Sequence, residues 1–555
     1  MKKNKYLLLV SSAAVLVLLV WAAVDENYFR EWRRIQSAGH TEEGPIPVRL
    51  RQVVNNSLGA ADRCVSCHVT MGPGEQNVHG GAILQPHSPV VHDPAELGCT
   101  VCHSGQGQAT EKDDAHGRVH FWPEPMLPRE MSYAGCGSCH VTLGVPSQPR
   151  LRAASQAFER LDCYACHRVD GKGGTVRPDG GGMEGPDLSR AGIAGYDPDW
   201  YPKHLAQWRA AGEGPWRKAF QPVPEAESAL LRVFLDTRVA APAFVAAKSM
   251  FLASGCLGCH QVSGVGGDDG PELTTVGFKD PGQVSFEHVP GDRAMKNWMV
   301  EHFRSPASVV VGSLMPPVPM SDREINQLTF YTLSLRRREL RDANVPKDRV
   351  RAMKFGEREF SGDGATIYGA FCAGCHGGDG QGRRLPGLVS FPSIANPDFL
   401  RVASDELLTR TVEQGRPGRR MPGWLKPEGL RPEEIRAVVA HLRSLGGGVM
   451  QEPERRPHRW VTASPESGKR IFESACAGCH GPQGRGGEGP AVNDAVLLGS
   501  ASDTYFVETI SRGRRGTAMA GFLEPTPVRP ALAAGEIESV VAYLRSLQTQ
   551  GGKKL

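Results

Sequence analysis

The sequence predicts a mainly α protein with one N-terminal transmembrane helix, a loop-rich module, and then four tandem all-α units. Three observations lead there. Residues 6–24, "YLLLVSSAAVLVLLVWAAV", are nineteen in a row without a charge, just after Lys2, Lys3 and Lys5. All fourteen cysteines fall in seven C-x-x-C-H units. From residue 151 on, a helix, a C-x-x-C-H, a Gly-rich loop and a closing helix recur about every hundred residues.

The apolar run has the length a bilayer-spanning helix needs and exceeds a signal-peptide core. It ends "WAAVDEN", with no clean small-x-small cleavage site. Residues 1–24 are therefore expected to be an uncleaved anchor. Arg30, Arg33 and Arg34 on the far side make loop charge a weak guide to orientation.

The cysteine pairs are Cys64 and Cys67, Cys99 and Cys102, Cys136 and Cys139, Cys163 and Cys166, Cys256 and Cys259, Cys372 and Cys375, and Cys476 and Cys479. Each is followed at once by a histidine: His68, His103, His140, His167, His260, His376 and His480. C-x-x-C-H is a c-type haem attachment pattern, in which two thiols bond the haem vinyl groups and the histidine meets the iron. Zinc ribbons need paired C-x-x-C and no fixed histidine, and disulfides do not require every cysteine to have a partner three positions along. Seven covalently attached haem c groups are expected. Haem c is attached outside the cytoplasm, so the body belongs in the periplasm, anchored in the cytoplasmic membrane of a bacterium.

Aromatic content is low, at 7%, while Gly (66) and Pro (42) are abundant. This suits small units in which haem supplies apolar core. The formal charge of +4 omits two propionates per haem. A mildly acidic holoprotein is expected, which argues against nucleic acid as a partner. The chain shows no nucleotide loop and no hydrolase triad, and no catalytic residue is expected.

The last two units align closely. "IYGAFCAGCHGGDGQG" (367–382) matches "IFESACAGCHGPQGRG" (471–486), and "EIRAVVAHLRSL" (434–445) matches "EIESVVAYLRSL" (536–547). These units resemble the class I cytochrome c domain, a small all-α fold around one haem. The resemblance extends to the fifth unit ("GPEL", "LMPPVP") and the fourth ("GPDL", "AFQPVP"). Expected boundaries are 25–150 for the module, then 151–242, 243–346, 347–450 and 451–555. The resemblance implies that a proline carbonyl orients each proximal imidazole: Pro186, Pro271, Pro386 and Pro490. Segments 336–351 and 450–467 read as polar or basic linkers. The first three haem sites crowd into 64–140. Together with "NYFREWRRIQ" (27–36), they resemble the N-terminal part of membrane-anchored multihaem cytochromes encoded beside cytochrome b-type quinol-oxidising complexes.

Sixth ligands set potential and reactivity. Met315, Met421 and Met519 stand where a class I domain places its thioether, with Met295, Met299 and Met320 competing for the fifth haem. The module has spare histidines instead: His92, His116, His87 and His120 are the candidate distal ligands, then His79. His40, His288, His302, His441 and His458 read as bystanders. In the fourth unit Phe220 occupies the methionine position, so that haem either borrows a ligand, from the module or from His204, or stays open. Gln221, Arg217 and Trp216 would flank an open site.

The resulting expectation is an electron conduit. Its donor would be a cytochrome b-type quinol-oxidising membrane partner, and its acceptor a soluble periplasmic cytochrome or a terminal reductase or oxidase. Two alternatives remain: the cytochrome subunit of a periplasmic dehydrogenase, and a small-ligand reductase or peroxidase acting at an open fourth haem.

Overall fold

The computed structural model describes residues 2–81, 83–88, 90, 92–120, 122–140, 144–174, 185–194, 203, 223–317, 319–384 and 390–550. Phe220, His204, Trp216, Arg217, Gln221 and Pro386 lie outside the described residues. The chain is mainly helical, and its strands form short two-stranded ribbons.

Helix α1 (Lys2–Val24) is apolar and long enough to cross a membrane, and its side chains are exposed along its length. Helix α2 (Glu31–Ser37) buries Trp32 and Gln36. The Gln36 amide donates to the Ser66 carbonyl (2.7 Å), inside the first C-x-x-C-H unit, and accepts from the Arg49 backbone N–H (2.9 Å). The segment after the anchor is thus fastened to the first haem site. The module that follows is loop-rich, as its close motif spacing predicts. Its hairpin Val53–Asn55 with Ala60–Asp62 carries the buried Asp62, whose carboxylate accepts from the backbone N–H (2.9 Å) and hydroxyl (2.7 Å) of Thr100 in the second unit.

In the fourth unit α3 (Gln148–Arg160) packs on α4 (Glu225–Asp236), with the Phe158 and Phe234 rings stacked at 4.3 Å. The fifth contains α5 (Pro242–Ala253), α6 (Met295–Arg304) and α7 (Asp322–Ser334), the last begun by a Ser321/Glu324 capping box. The sixth contains α8 (Lys347–Phe355), α9 (Gly364–Phe371), α10 (Asp405–Gln414) and α11 (Pro432–Leu445). The seventh contains α12 (Pro465–Ile471), α13 (Asp503–Arg512) and α14 (Ala534–Gln550). The sequence repeat is a structural one. Ser404 and Ser502 cap α10 and α13 by accepting from Leu407 and Tyr505 N–H, both at 3.1 Å. Gly415 and Gly513, at φ +67° and +68°, end them.

The units are not beads on a string. One apolar core joins Leu127 and Met131 of the module to Phe251, Leu328 and Tyr331 of the fifth unit and Ile367, Phe371 and Ile435 of the sixth. A second joins Leu400 and Leu407 of the sixth to Phe472, Ile537 and Val541 of the seventh. The basic run read as a linker is largely part of this joint. Arg336 is only 4% exposed and binds the Gly277 carbonyl and the Ser104 hydroxyl; Arg337 reaches Ser263 and Glu359, and Arg338 reaches Glu124. Composition suggested a solvated linker because it cannot show carbonyls and carboxylates arriving from distant segments.

At the joint between the fifth and sixth units, Gly255 (φ +76°) lies against the backbone of Gly374, and a Cβ on either would strike the other. Gly374→Val is expected to cost about 1–3 kcal/mol by overpacking. A lowered thermal transition in the holoprotein, with haem content unchanged, is the check.

Candidate haem sites

Each C-x-x-C-H unit folds as one tight turn. In six of them the His backbone N–H donates to the carbonyl of the first Cys at 2.8–3.0 Å, and in the seventh the unit ends in the helical turn Ala477–His480. This turn sets both thiols and the imidazole to serve one ligand. All fourteen cysteines are free of disulfides. Burial pushes the thiols of Cys67, Cys102, Cys163 and Cys476 up to about 11, and those of Cys256 and Cys372 to about 12. Such thiols stay protonated at neutral pH, unlike those of an activated redox dithiol, whereas Cys64 and Cys259 are lowered by the neighbouring thiols of Cys99 and Cys375.

Four proximal imidazoles meet proline carbonyls. Nδ1 lies 3.0 Å from Pro186 O in His167, 2.9 Å from Pro271 O in His260 and 2.8 Å from Pro490 O in His480. For His376 the acceptor is Pro392, at 2.9 Å, rather than the expected Pro386. The acceptor lies six residues beyond Pro386, after a longer loop. With Nδ1 held by a carbonyl, Nε2 is left to face a metal.

In the module the spare histidines divide. His87 and His103 have ring centroids 6.1 Å apart with planes at 62°; His92 and His140 are 6.0 Å apart at 21°. An iron held by two imidazole nitrogens at about 2 Å each places the ring centroids about 6 Å apart, the separation that both pairs have. The His87 Nδ1–H donates to the Ser88 carbonyl (2.6 Å), again leaving Nε2 outward. His116 acts electrostatically on His68, and the Nδ1 atoms of both are buried without a hydrogen-bond partner among the described residues. His79 instead pairs with His40 across a backbone bridge, both rings exposed. His120 is exposed.

Met421 and Met519 occupy equivalent hairpins: Arg416 and Arg514 N–H donate to their carbonyls, both at 2.8 Å, and both side chains are partly buried. Met315 is partly buried against the fifth unit's core, on a loop whose Val311 and Leu314 are exposed. Of its competitors, Met295 and Met299 are buried in α6, and the Met299 sulfur accepts from the Thr332 hydroxyl (3.2 Å). One histidine read as a bystander is buried beside the fifth site. His302 stacks on Trp298 at 4.8 Å, and its Nδ1 is buried without a partner among the described residues. Burial, then the nearby His260, holds it down at about 4, so it is a neutral imidazole beside the proximal ligand. The signal was the i, i+4 pair in "NWMVEHF".

A cytochrome c family model matches residues 244–336 and 465–548, and a model of cbb3-type cytochrome c oxidase subunit III matches 362–442. The chain is a multihaem c-type cytochrome. Among its relatives is the cbb3-type oxidase subunit FixP of Bradyrhizobium diazoefficiens, 30% identical over 202 residues, covering 34% of this chain and 61% of that protein. The CcoP subunit of Rhodobacter capsulatus is 26% identical over 196 residues, covering 33% and 61%. The cytochrome thus spans about three-fifths of the length of these relatives. A reducing HAO-like protein complex of Kuenenia stuttgartiensis superposes at a TM-score of 0.24 with 23% identity, covering 33% of this chain and 94% of that one. That superposition is too loose to bear on function.

Several attachment sites of the cytochrome lie against one another. The thiols of Cys64 and Cys99 are close neighbours, as are those of Cys259 and Cys375. Gly135, just before Cys136, packs on the Cys102 carbonyl, and Gly137 packs on Ser334 at the end of α7. The first, second and third sites therefore adjoin in order; the third abuts the closing helix of the fifth unit, and the fifth meets the sixth. Beside Cys139 a cavity of about 360 Å³ opens, lined also by Val101, Phe278 and Arg338.

Proposed function

We propose that this cytochrome is a membrane-anchored electron conduit with seven haem c groups. It would take electrons from a cytochrome b-type quinol-oxidising membrane partner and pass them to a periplasmic acceptor. The anchor is residues 1–24, the module 25–150, and the four cytochrome units 151–242, 243–346, 347–450 and 451–555. Haem c, when bound, supplies reversible one-electron chemistry between Fe(III) and Fe(II). The chain holds each group by its two cysteines and proximal histidine. His87, His92 and His116 serve as distal ligands in the module, and Met315, Met421 and Met519 in the last three units. His120 is the remaining module candidate for the fourth site.

The observation that carries this reading is that the first three attachment sites adjoin, as do the fifth and sixth, which suits transfer of electrons along the chain better than chemistry at one pocket. Histidine pairs near the membrane and methionines further out give potentials rising from donor to acceptor, because Met/His ligation raises the potential. The cbb3-type oxidase subunits among the relatives support a terminal oxidase as acceptor.

The test is a haem count per polypeptide together with carbon monoxide binding to the dithionite-reduced protein. Seven haems and no carbon monoxide complex are expected. A complex with about one haem in seven, abolished by Phe220→Met, would replace the pure conduit with a small-ligand enzyme at the fourth site.

A further inference from the structure

Helix α8 carries Asp348 back from the start of the sixth unit to the module. Its two carboxylate oxygens lie 3.2 and 3.3 Å from Nδ1 of His140. Four other proximal histidines meet a neutral proline carbonyl at that atom. Among the described residues, His140 is the proximal histidine whose Nδ1 meets a carboxylate. Arg338 and Arg349 lie close enough to act on the neighbouring Cys139. The acceptor here is an aspartate carboxylate, an anion at neutral pH.

We propose that Asp348 is a positioning residue for the third haem: it fixes the His140 ring and makes it a stronger electron donor, lowering the potential of the His92/His140 site. The inference rests on the bis-histidine reading of the module. An anionic acceptor draws the Nδ1 proton more strongly than a carbonyl does and raises the basicity of Nε2. A more basic axial ligand stabilises Fe(III) over Fe(II), so the one-electron couple moves to lower potential. The proton stays between His140 and Asp348 in both states, and no further reactant is needed. The source of the carboxylate matters too. α8 opens the sixth unit, whose Arg431 guanidinium binds the Gly356 carbonyl at the end of the helix (2.5 Å). Docking of a downstream unit thereby sets the electron affinity of an upstream site.

The experiment uses the full-length holoprotein in detergent. Nearly parallel imidazole planes, as at 21°, split the iron d orbitals and give a rhombic low-spin EPR signal; crossed planes, as at 62°, give a strongly anisotropic one. The rhombic signal of the third site, assigned by its loss in His92→Ala, is followed in a potentiometric titration. Asp348→Asn is expected to move its midpoint upward with the line shape unchanged, and Asp348→Glu to return it toward the wild-type value. An intact signal with an unmoved midpoint in Asp348→Asn would overturn the role of Asp348. Loss of the signal in Asp348→Asn with haem still attached would also overturn it, leaving only a structural prop. If the wild type lacks any low-spin signal that His92→Ala removes, the bis-histidine reading itself falls.

Discussion

His92→Ala and His87→Ala are each expected to convert one low-spin haem into a high-spin, carbon monoxide-binding one, without loss of haem. The thioether bonds and the proximal histidine survive either change, so the cofactor stays attached. What disappears is one of two imidazoles whose ring centroids stand about 6 Å apart, the span an iron between them requires. Vacating that position admits an external ligand. The two variants should differ: His87→Ala removes the strongly anisotropic EPR signal, and His92→Ala the rhombic one. Carbon monoxide uptake should rise by about one equivalent in each and about two in the double variant. If His92→Ala leaves the spectrum unchanged while His120→Ala alters it, the pairing is wrong.

The second large effect concerns a charge cluster that holds the fifth unit to the sixth. Lys248 on α5 is 2% exposed, with its ammonium 3.7 Å from the Glu359 carboxylate. Glu359 also meets Arg337 at 3.3 Å and accepts from the Ser263 hydroxyl at 3.4 Å. Glu359→Gln leaves two cations facing each other without their shared anion. Removing one partner of a buried ion pair costs about 3–5 kcal/mol. That should lower the first thermal transition by on the order of 10 °C. Burial already depresses the Lys248 pKa in the folded chain. Between the folded and unfolded values the unfolded chain binds more protons, so stability contributed here rises with pH. The deficit of the variant should therefore shrink in alkaline buffer, as folded Lys248 gives up its proton first. A deficit that is constant from neutral to alkaline pH would show that Lys248 is not the group left uncompensated.

Much of the site was legible in the sequence because haem attachment needs local chemistry. A C-x-x-C-H turn is complete within five residues, and the Gly-Pro landmarks after His167, His260 and His480 sit close enough to be read by spacing. Met421 and Met519 could be nominated because the last two units share one register of landmarks around them. What escaped was long-range. The carbonyl of Pro392 lies beyond a loop of unfamiliar length. His302 read as a bystander because the repeat register already assigns Met315 to the fifth haem. The distal pairs could be nominated but not matched, since His87 with His103 and His92 with His140 are brought together by the folding of a loop-rich module with little periodicity to read. Arg336 and Asp348 lay in a stretch whose charge suggested solvent, although folding gives both of them partners in the module.

The facing thiols of Cys259 and Cys375 have a consequence for how such a chain is made. Until each is bonded to a porphyrin, two neighbouring thiols are also the reactants of a disulfide, and an oxidising compartment supplies the means. The units on either side meet through Gly255 and Gly374, where a Cβ on either would strike the other's backbone, so the docked joint leaves little room around these thiols. Maturation is thus a race. Cofactor loading has to precede closure of the joint, and a chain that closes first is open to a wrong covalent bond at the point where its electron path would run.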